Sequence, residues 1–272
     1  MTLSVAKSIP IMSARDALRS MPNADGALTT EEVAQLLLGW QRNIRTAAQW
    51  IHDDWLAHAL GVEPKEAASR NGVTHRGDFA ELLKKMRTQC DEACSLAIMR
   101  VLMPEAPTLD TWLTDPVARF DTLPIETGLS LLRMQALIAR RAEVRRLVDR
   151  STRSRLSEWI GCSLDDLFGR SVADALPPFD GGRELTSTRT LSALEIDELG
   201  MEGFVLLPRS HADKGGRAEA TRVVSRSLLR LALPYRTKCE VPLPSYDACA
   251  EAFQLLRERL GIIFPEHAWL FG

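Results

Sequence analysis

Paired arginines are the most chemically distinctive residues of this chain. Arg140 with Arg141, and Arg145 with Arg146, alternate with aliphatic residues at helical spacing inside residues 129–168. A guanidinium is planar, permanently charged and presents a fixed fork of donors, which suits carboxylates and phosphates. The chemistry implied is recognition of acidic groups. Trp159 follows in the next helical segment, and arginine and tryptophan are both enriched at interface hot spots. Arg140, Arg141, Arg145, Arg146 and Trp159 are therefore the expected docking residues.

Other side chains have suitable atoms in poorer patterns. Cys90 and Cys94 stand four apart on a helical stretch and share a face, with His52 and His58 as further potential ligands. Zinc sites favour loop-borne CxxC pairs and short histidine spacings, which this set lacks. Both cysteines also fall on an apolar stripe, where small buried thiols are common. His52-Asp53-Asp54 and His75 could supply acid–base groups. No nucleophile elbow, phosphate-cradling glycine loop or HExxH helix accompanies them. Asp165-Asp166 sits at a helix start, where carboxylates complement the dipole. The expectation is a non-enzymatic chain with no catalytic residues, no metal and no cofactor.

Composition bounds the alternatives. The 272 residues carry a net charge of −2 and a pI near 6.2, whereas a nucleic-acid-binding domain is expected near or above pI ~9. A helix, a turn at Asp149-Arg150-Ser151 and a second helix follow helix-turn-helix order, so a nucleic-acid-binding regulator is the alternative reading. Against it, Glu143, Asp149 and Glu158 dilute the charge, and Leu132, Leu137, Ile138, Val144, Leu147 and Val148 require burial. The five cysteines (Cys90, Cys94, Cys162, Cys239, Cys249) form an odd set without a CxxC pair, which points to a reducing compartment. Polar residues from Ser4 to Asp16 interrupt any signal-peptide core. No stretch reaches the roughly 20 apolar residues needed to span a bilayer. A cytoplasmic location is expected, without direct membrane insertion.

The positioning elements read as helices. Residues 1–28 form a weakly ordered lead with breakers at Pro10, Pro22 and Gly26. Thr29 and Glu32 have capping-box spacing. Val33, Leu37, Trp40, Ile44, Ala47, Ile51 and Trp55 then mark one long amphipathic helix ending at Gly61. After a loop at 62–77, Asp78 and Glu81 cap a second helix that Pro104 ends, predicting an antiparallel pair. A short turn spans Leu109 to Leu113. Pro124 opens a central helix from Ile125 to Val148. Ser151 caps another that Gly161 closes, and Ser163 caps a short third piece. Pro177-Pro178 and Gly181-Gly182 mark the best internal boundary.

The last third is less regular. Leu191 to Leu199 suits a short helix. The apolar run Gly203 to Pro208 fits helix or strand. Ser210 to Gly216 is a polar loop, and Arg217 to Leu233 is helical. Thr237 to Pro244 is extended. Ser245 caps a last helix to Gly261, before an apolar tail. The fold class is mainly α: an irregular helical domain with room for one small β element in the C-terminal third. Its expected parts are the lead at 1–28, a helical N-terminal and central region at 29–176, and a smaller C-terminal helical region at 190–272 packed on it.

Residues 123–167 resemble the central segment of the SctK family, cytosolic accessory components of bacterial type III secretion systems, here of the Hrp type. The resemblance rests on Leu131-Leu132-Arg133-Met134, Arg140-Arg141-Ala142-Glu143-Val144-Arg145, Val148-Asp149, Arg155-Leu156, Trp159 and Gly161. The run Leu228 to Pro234 is similar to a later family segment. The resemblance covers about a third of the chain, and the lead and the Gly- and Pro-rich inserts depart from it. It implies a non-enzymatic adaptor at the cytosolic face of the inner membrane. Its partners would be an SctQ-like pod protein and the cytoplasmic domain of an SctD-like ring protein. No family catalytic or ligand residues are carried over.

Overall fold

The computed structural model describes residues 28–59, 81, 85, 87–89, 92–169, 189–208, 227–235 and 246–270. Thr29 and Glu32 build the first helix start. Glu32 N–H donates to Thr29 Oγ1 at 3.3 Å, and Thr29 N–H donates to Glu32 Oε2 at 2.6 Å, so two end donors are satisfied reciprocally.

The predicted single helix from Thr30 to Gly61 is instead three pieces: α1 (Thr30–Arg45), α2 (Ala47–Trp50) and α3 (Asp53–Ala59). At the first break, Thr46 has φ −106° and ψ 12°, and its hydroxyl donates back to Arg42 O. A β-branched residue with a backbone-seeking hydroxyl favours such a departure. At the second, Ile51 is extended and the next amide, His52 N–H, donates to Leu231 O at 2.9 Å. The apolar stripe still faces inward: Val33, Ala47, Ile51 and Trp55 are buried.

The chain continues through α4 (Glu92–Leu102), α5 (Leu109–Thr114) and a 3-10 turn at Ala118–Thr122. It then forms α6 (Ile125–Ala139), α7 (Arg141–Val144), α8 (Arg150–Ile160) and α9 (Leu164–Phe168). After a 3-10 turn at Leu191–Ala193 come α10 (Ile196–Val205), α11 (Leu228–Leu231) and α12 (Tyr246–Ile263), then a 3-10 segment at Pro265–Leu270. α4 packs against α1, α2 and α3. Every regular element among the described residues is a helix. The fold is mainly α, and none of the described residues forms the small β element. The Gly203 to Pro208 run is the end of α10 and its exit. The lead at 1–27, the loop at 62–77, the Asp78 cap, the 177–188 boundary and the 210–216 loop lie outside the described residues. So do residues 217–226 of the predicted helix, the extended 237–244 segment and the Ser245 cap. The last helix runs past Gly261 to Ile263.

α6 occupies the centre. From Leu131 to Ala139 every residue is buried, including the polar Arg133 and Gln135, as expected of a helix enclosed on all sides. α10, α12 and α8 pack around it, with α10 the most extensive neighbour. Core residues from both halves of the chain join in one cluster, including Leu36, Ile51, Leu132, Leu156, Leu199, Leu228 and Leu256.

Glycine sets the α6–α10 approach. A Cβ at Gly203 would lie 1.7 Å from the carbonyl oxygen of Leu132, a backbone atom that no rotamer change can move. A Cβ at Gly200, one turn earlier, meets only the Leu233 side-chain tip at 2.9 Å. Gly203→Ala should therefore lose stability although alanine is the better helix former by about 1 kcal/mol. Overpacking against backbone costs up to about 3 kcal/mol, so a net loss near 2 kcal/mol is expected. Gly200→Ala should be close to neutral. Chemical denaturation of the two variants checks the contrast; equal effects would place the helices further apart than described.

Asp121 fixes α11. Its Oδ1 accepts from Ser227 Oγ at 2.8 Å and from Leu229 N–H at 3.1 Å, and its own carbonyl accepts from Asn43 Nδ2 at 2.8 Å. Burial pushes its carboxyl up to about 6, against the pull of these hydrogen bonds. The native state thus takes up a proton between about pH 6 and 4, where the unfolded chain does not, and this group adds stability as pH falls through that window. In Asp121→Asn the contribution is gone. The stability of the natural chain relative to that variant should rise by up to roughly 3 kcal/mol from pH 7 to pH 4. Urea unfolding at several pH values measures it; a constant or falling difference would contradict the assignment.

Candidate interaction surface

The arginine stretch divides into an inner and an outer half. α6 ends at Arg140, where φ is −92° and ψ 12°, and the predicted continuous helix to Val148 is bent there. The Arg140 side chain is 4 % exposed and faces Glu202 of α10, which is fully buried. Nε donates to Glu202 Oε2 at 2.6 Å and Nη2 to Oε1 at 2.9 Å. This is the forked, two-bond geometry that arginine makes with a carboxylate. Nη1 donates to Glu143 Oε2 at 2.7 Å and to Arg189 O at 2.9 Å. Glu143 Oε1 in turn accepts from Leu191 N–H at 2.7 Å. Burial works to lower the Arg140 pKa, but Glu202 and Glu143 outweigh it and hold the guanidinium above its ordinary value.

Arg141 is also buried, at 5 % exposed. Arg140 and Arg141, expected on the docking edge, are instead interior residues. A helix of 3.6 residues per turn cannot place four arginines at 140, 141, 145 and 146 on one outward face. Arg145 and Arg146 are exposed and make no ion pair among the described residues. Trp159 is half-buried against the core. Its ring is covered by the Arg155 guanidinium at 4.9 Å, and its carbonyl accepts from Arg133 Nη1 at 3.1 Å. Arg155 Nη2 also donates to Ser192 O at 3.0 Å. The five residues do not form a single face.

After Val144 the chain leaves the helix. Leu147 packs against the core, while Val148 is 94 % exposed. Asp149, two residues before the predicted Ser151, is the cap of α8; it accepts from Ser151 N–H at 3.1 Å and Thr152 N–H at 2.9 Å. Hydrogen bonds from Thr152 and Ser151 hold its carboxyl well below the usual carboxylate range. Gly161 ends α8 in the left-handed region, φ 72°, a conformation that suits glycine. Ser163 Oγ accepts from Asp166 N–H at 3.0 Å and starts α9 as predicted.

The other candidate residues have structural company. His52 lies between Asp54 (3.7 Å) and Asp197 (3.9 Å). His58 stacks on Tyr235 at 4.4 Å. Cys94 is half-buried, and His75 and Cys90 lie outside the described side chains. Burial, with Asp166 nearby, pushes the Cys162 thiol up to about 11. Among the described residues no three His, Cys, Asp or Glu side chains gather as a metal site would require. No described helix is long and apolar enough to cross a membrane.

Glu202 had a usable signal in the sequence. It is the lone charge in Leu199-Gly-Met-Glu-Gly-Phe-Val-Leu-Leu, and a carboxylate inside an apolar helix needs a buried partner. Asp121 had none, because its partners are a backbone amide and a serine more than a hundred residues away.

Buried charge used to fix helices to one another defines a helical scaffold. The family model for bacterial type III secretion proteins, HrpB4, matches residues 28–266. The chain belongs to that family, which is the SctK family resembled above. No curated protein and no solved structure matches it.

The ion pair predicts an asymmetric mutational response. Glu202→Leu alone leaves Arg140 buried with much of its charge uncompensated and should cost about 3–5 kcal/mol, whereas combining it with Arg140→Met should cost far less than the two single changes summed. Denaturation of the four proteins in a double-mutant cycle reads the coupling; additive losses would contradict it.

Proposed function

We propose that this type III secretion protein is a non-enzymatic adaptor of the sorting platform. It would link the cytoplasmic domain of an SctD-like inner-membrane ring protein to an SctQ-like pod protein and so support assembly and export. On this reading it acts in the cytoplasm and meets the membrane only through its partners. Family membership carries the proposal. The described structure supports it by where it spends its charge. Arg140, Glu202 and Asp121 hold helices together, and Arg119 donates to the carbonyls of Trp112, Leu113 and Leu270. The burial of Arg140 and Arg141 also removes two of the cations on which a nucleic-acid reading rested. Arg145 and Arg146 remain as the outward residues of the expected docking set, with Trp159 at its edge.

Co-purification tests the reading. The full chain should retain both the ring-protein cytoplasmic domain and the pod protein at micromolar concentration. A folded chain that retains neither would remove the proposal.

A further inference from the structure

Val148, two residues beyond Arg146, and Arg150 line an open basin of about 400 Å³ at the start of α8. One wall is a single face of α8, with Arg150, Arg153, Ser154 and Ser157 at helical spacing. The opposite face of α8 carries Thr152, Leu156 and Ile160 into the core, so the helix is anchored on one side and free on the other. The second wall is the start of α9, with Asp165, and Val148 stands at the rim.

Among the described residues the charges at this corner are not balanced. Asp149 is committed to the α8 backbone amides. Asp165 is taken by Arg153 at 3.2 Å. Arg145, Arg146 and Arg150 are exposed and have no ion pair among the described residues. Glu158, the exposed carboxylate of the same helix, is not among the basin walls. A concentration of three cations unpaired among the described residues, in a chain of net charge −2, is a local feature. It is joined to an almost fully exposed β-branched apolar side chain and to three serines in the basin.

We propose that this corner docks an acidic protein segment whose carboxylates meet Arg146 and Arg150 and whose apolar side chain covers Val148. The inference rests on the adaptor reading and assigns the chemistry of one of its partners. Guanidiniums pair carboxylates with forked geometry. A buried apolar anchor within a charged rim is the usual anatomy of a protein interface. A phosphate chain would leave the almost fully exposed Val148 side chain uncovered. A polypeptide can present carboxylates, a methyl group and amide donors within one short segment, which favours protein over nucleic acid or lipid.

The test uses the full chain and whichever of the ring or pod proteins it retains, with the dissociation constant measured by calorimetry. Two variants probe the corner: Arg146→Glu with Arg150→Glu, and Val148→Asp. Glu at position 150 is compatible with a helix N-terminus, and melting curves confirm folding. Arg100→Glu, an exposed reversal on α4, controls for bulk charge. The expected result is a loss of affinity of about tenfold or more for each corner variant towards one partner, with the control unchanged. Equal losses in all three variants would reduce the effect to net charge and overturn the inference. Unchanged binding by folded corner variants would overturn it too, while leaving the adaptor reading in place. If the natural chain binds neither partner, both fall. Retention on anionic vesicles or DNA that the corner variants abolish, without any change in protein binding, would assign the corner to phosphate and overturn the inference.

Discussion

The forked ion pair between Arg140 and Glu202 is the constraint around which the centre of this protein is organised. Both side chains are buried, and each would be costly without the other. Their distances of 2.6 and 2.9 Å are possible because α6 and α10 run close together. That closeness depends on Gly203, the next residue, resting against the Leu132 carbonyl. One glycine and one charge pair therefore fix the same contact by different means, the first through shape and the second through electrostatics. Such a pair adds little net stability over an apolar replacement. Its forked geometry ties α6 to α10 at one point along their length.

The same economy recurs elsewhere. Arg119 gathers three backbone carbonyls. Arg230 donates to the carbonyls of Leu233, Pro234 and Tyr235 and lies over the Trp55 ring at 5.0 Å. Burial pulls its pKa down to about 10, which leaves it charged at neutral pH. Arginine suits this work because it carries five donors in one plane, enough to collect the unbonded carbonyls where short helices stop. A fold made of many short helices has many such ends, so cations that look like binding residues are needed inside.

This explains where the sequence was legible. Local rules held: the Thr29–Glu32 box, the Ser163 cap and the Gly161 stop are set by neighbours a few residues away. The inward stripe of the first helices also held, because burial follows period. Continuity did not. The break at Ile51 and the bend at Arg140 answer to distant groups, the Leu231 carbonyl and the Glu202 carboxylate, whereas the break at Thr46 goes with its own hydroxyl bonding back to Arg42 O. The arginine cluster was recognisable as acid-seeking. Which acid it sought was invisible, since for Arg140 that acid lies 62 residues along the same chain.

The closures that complete the N-terminal helices come very late in the chain. Trp55 Nε1 donates to Leu233 O across 178 residues, and Arg119 to Leu270 O across 151. At a synthesis rate of roughly 5–20 residues per second, a gap of that length lasts on the order of ten to forty seconds. Throughout that interval the nascent first half carries apolar faces whose covers have not yet been made. Exposed apolar surface of this kind is aggregation-prone, and the first helices complete their burial only as the later ones join them.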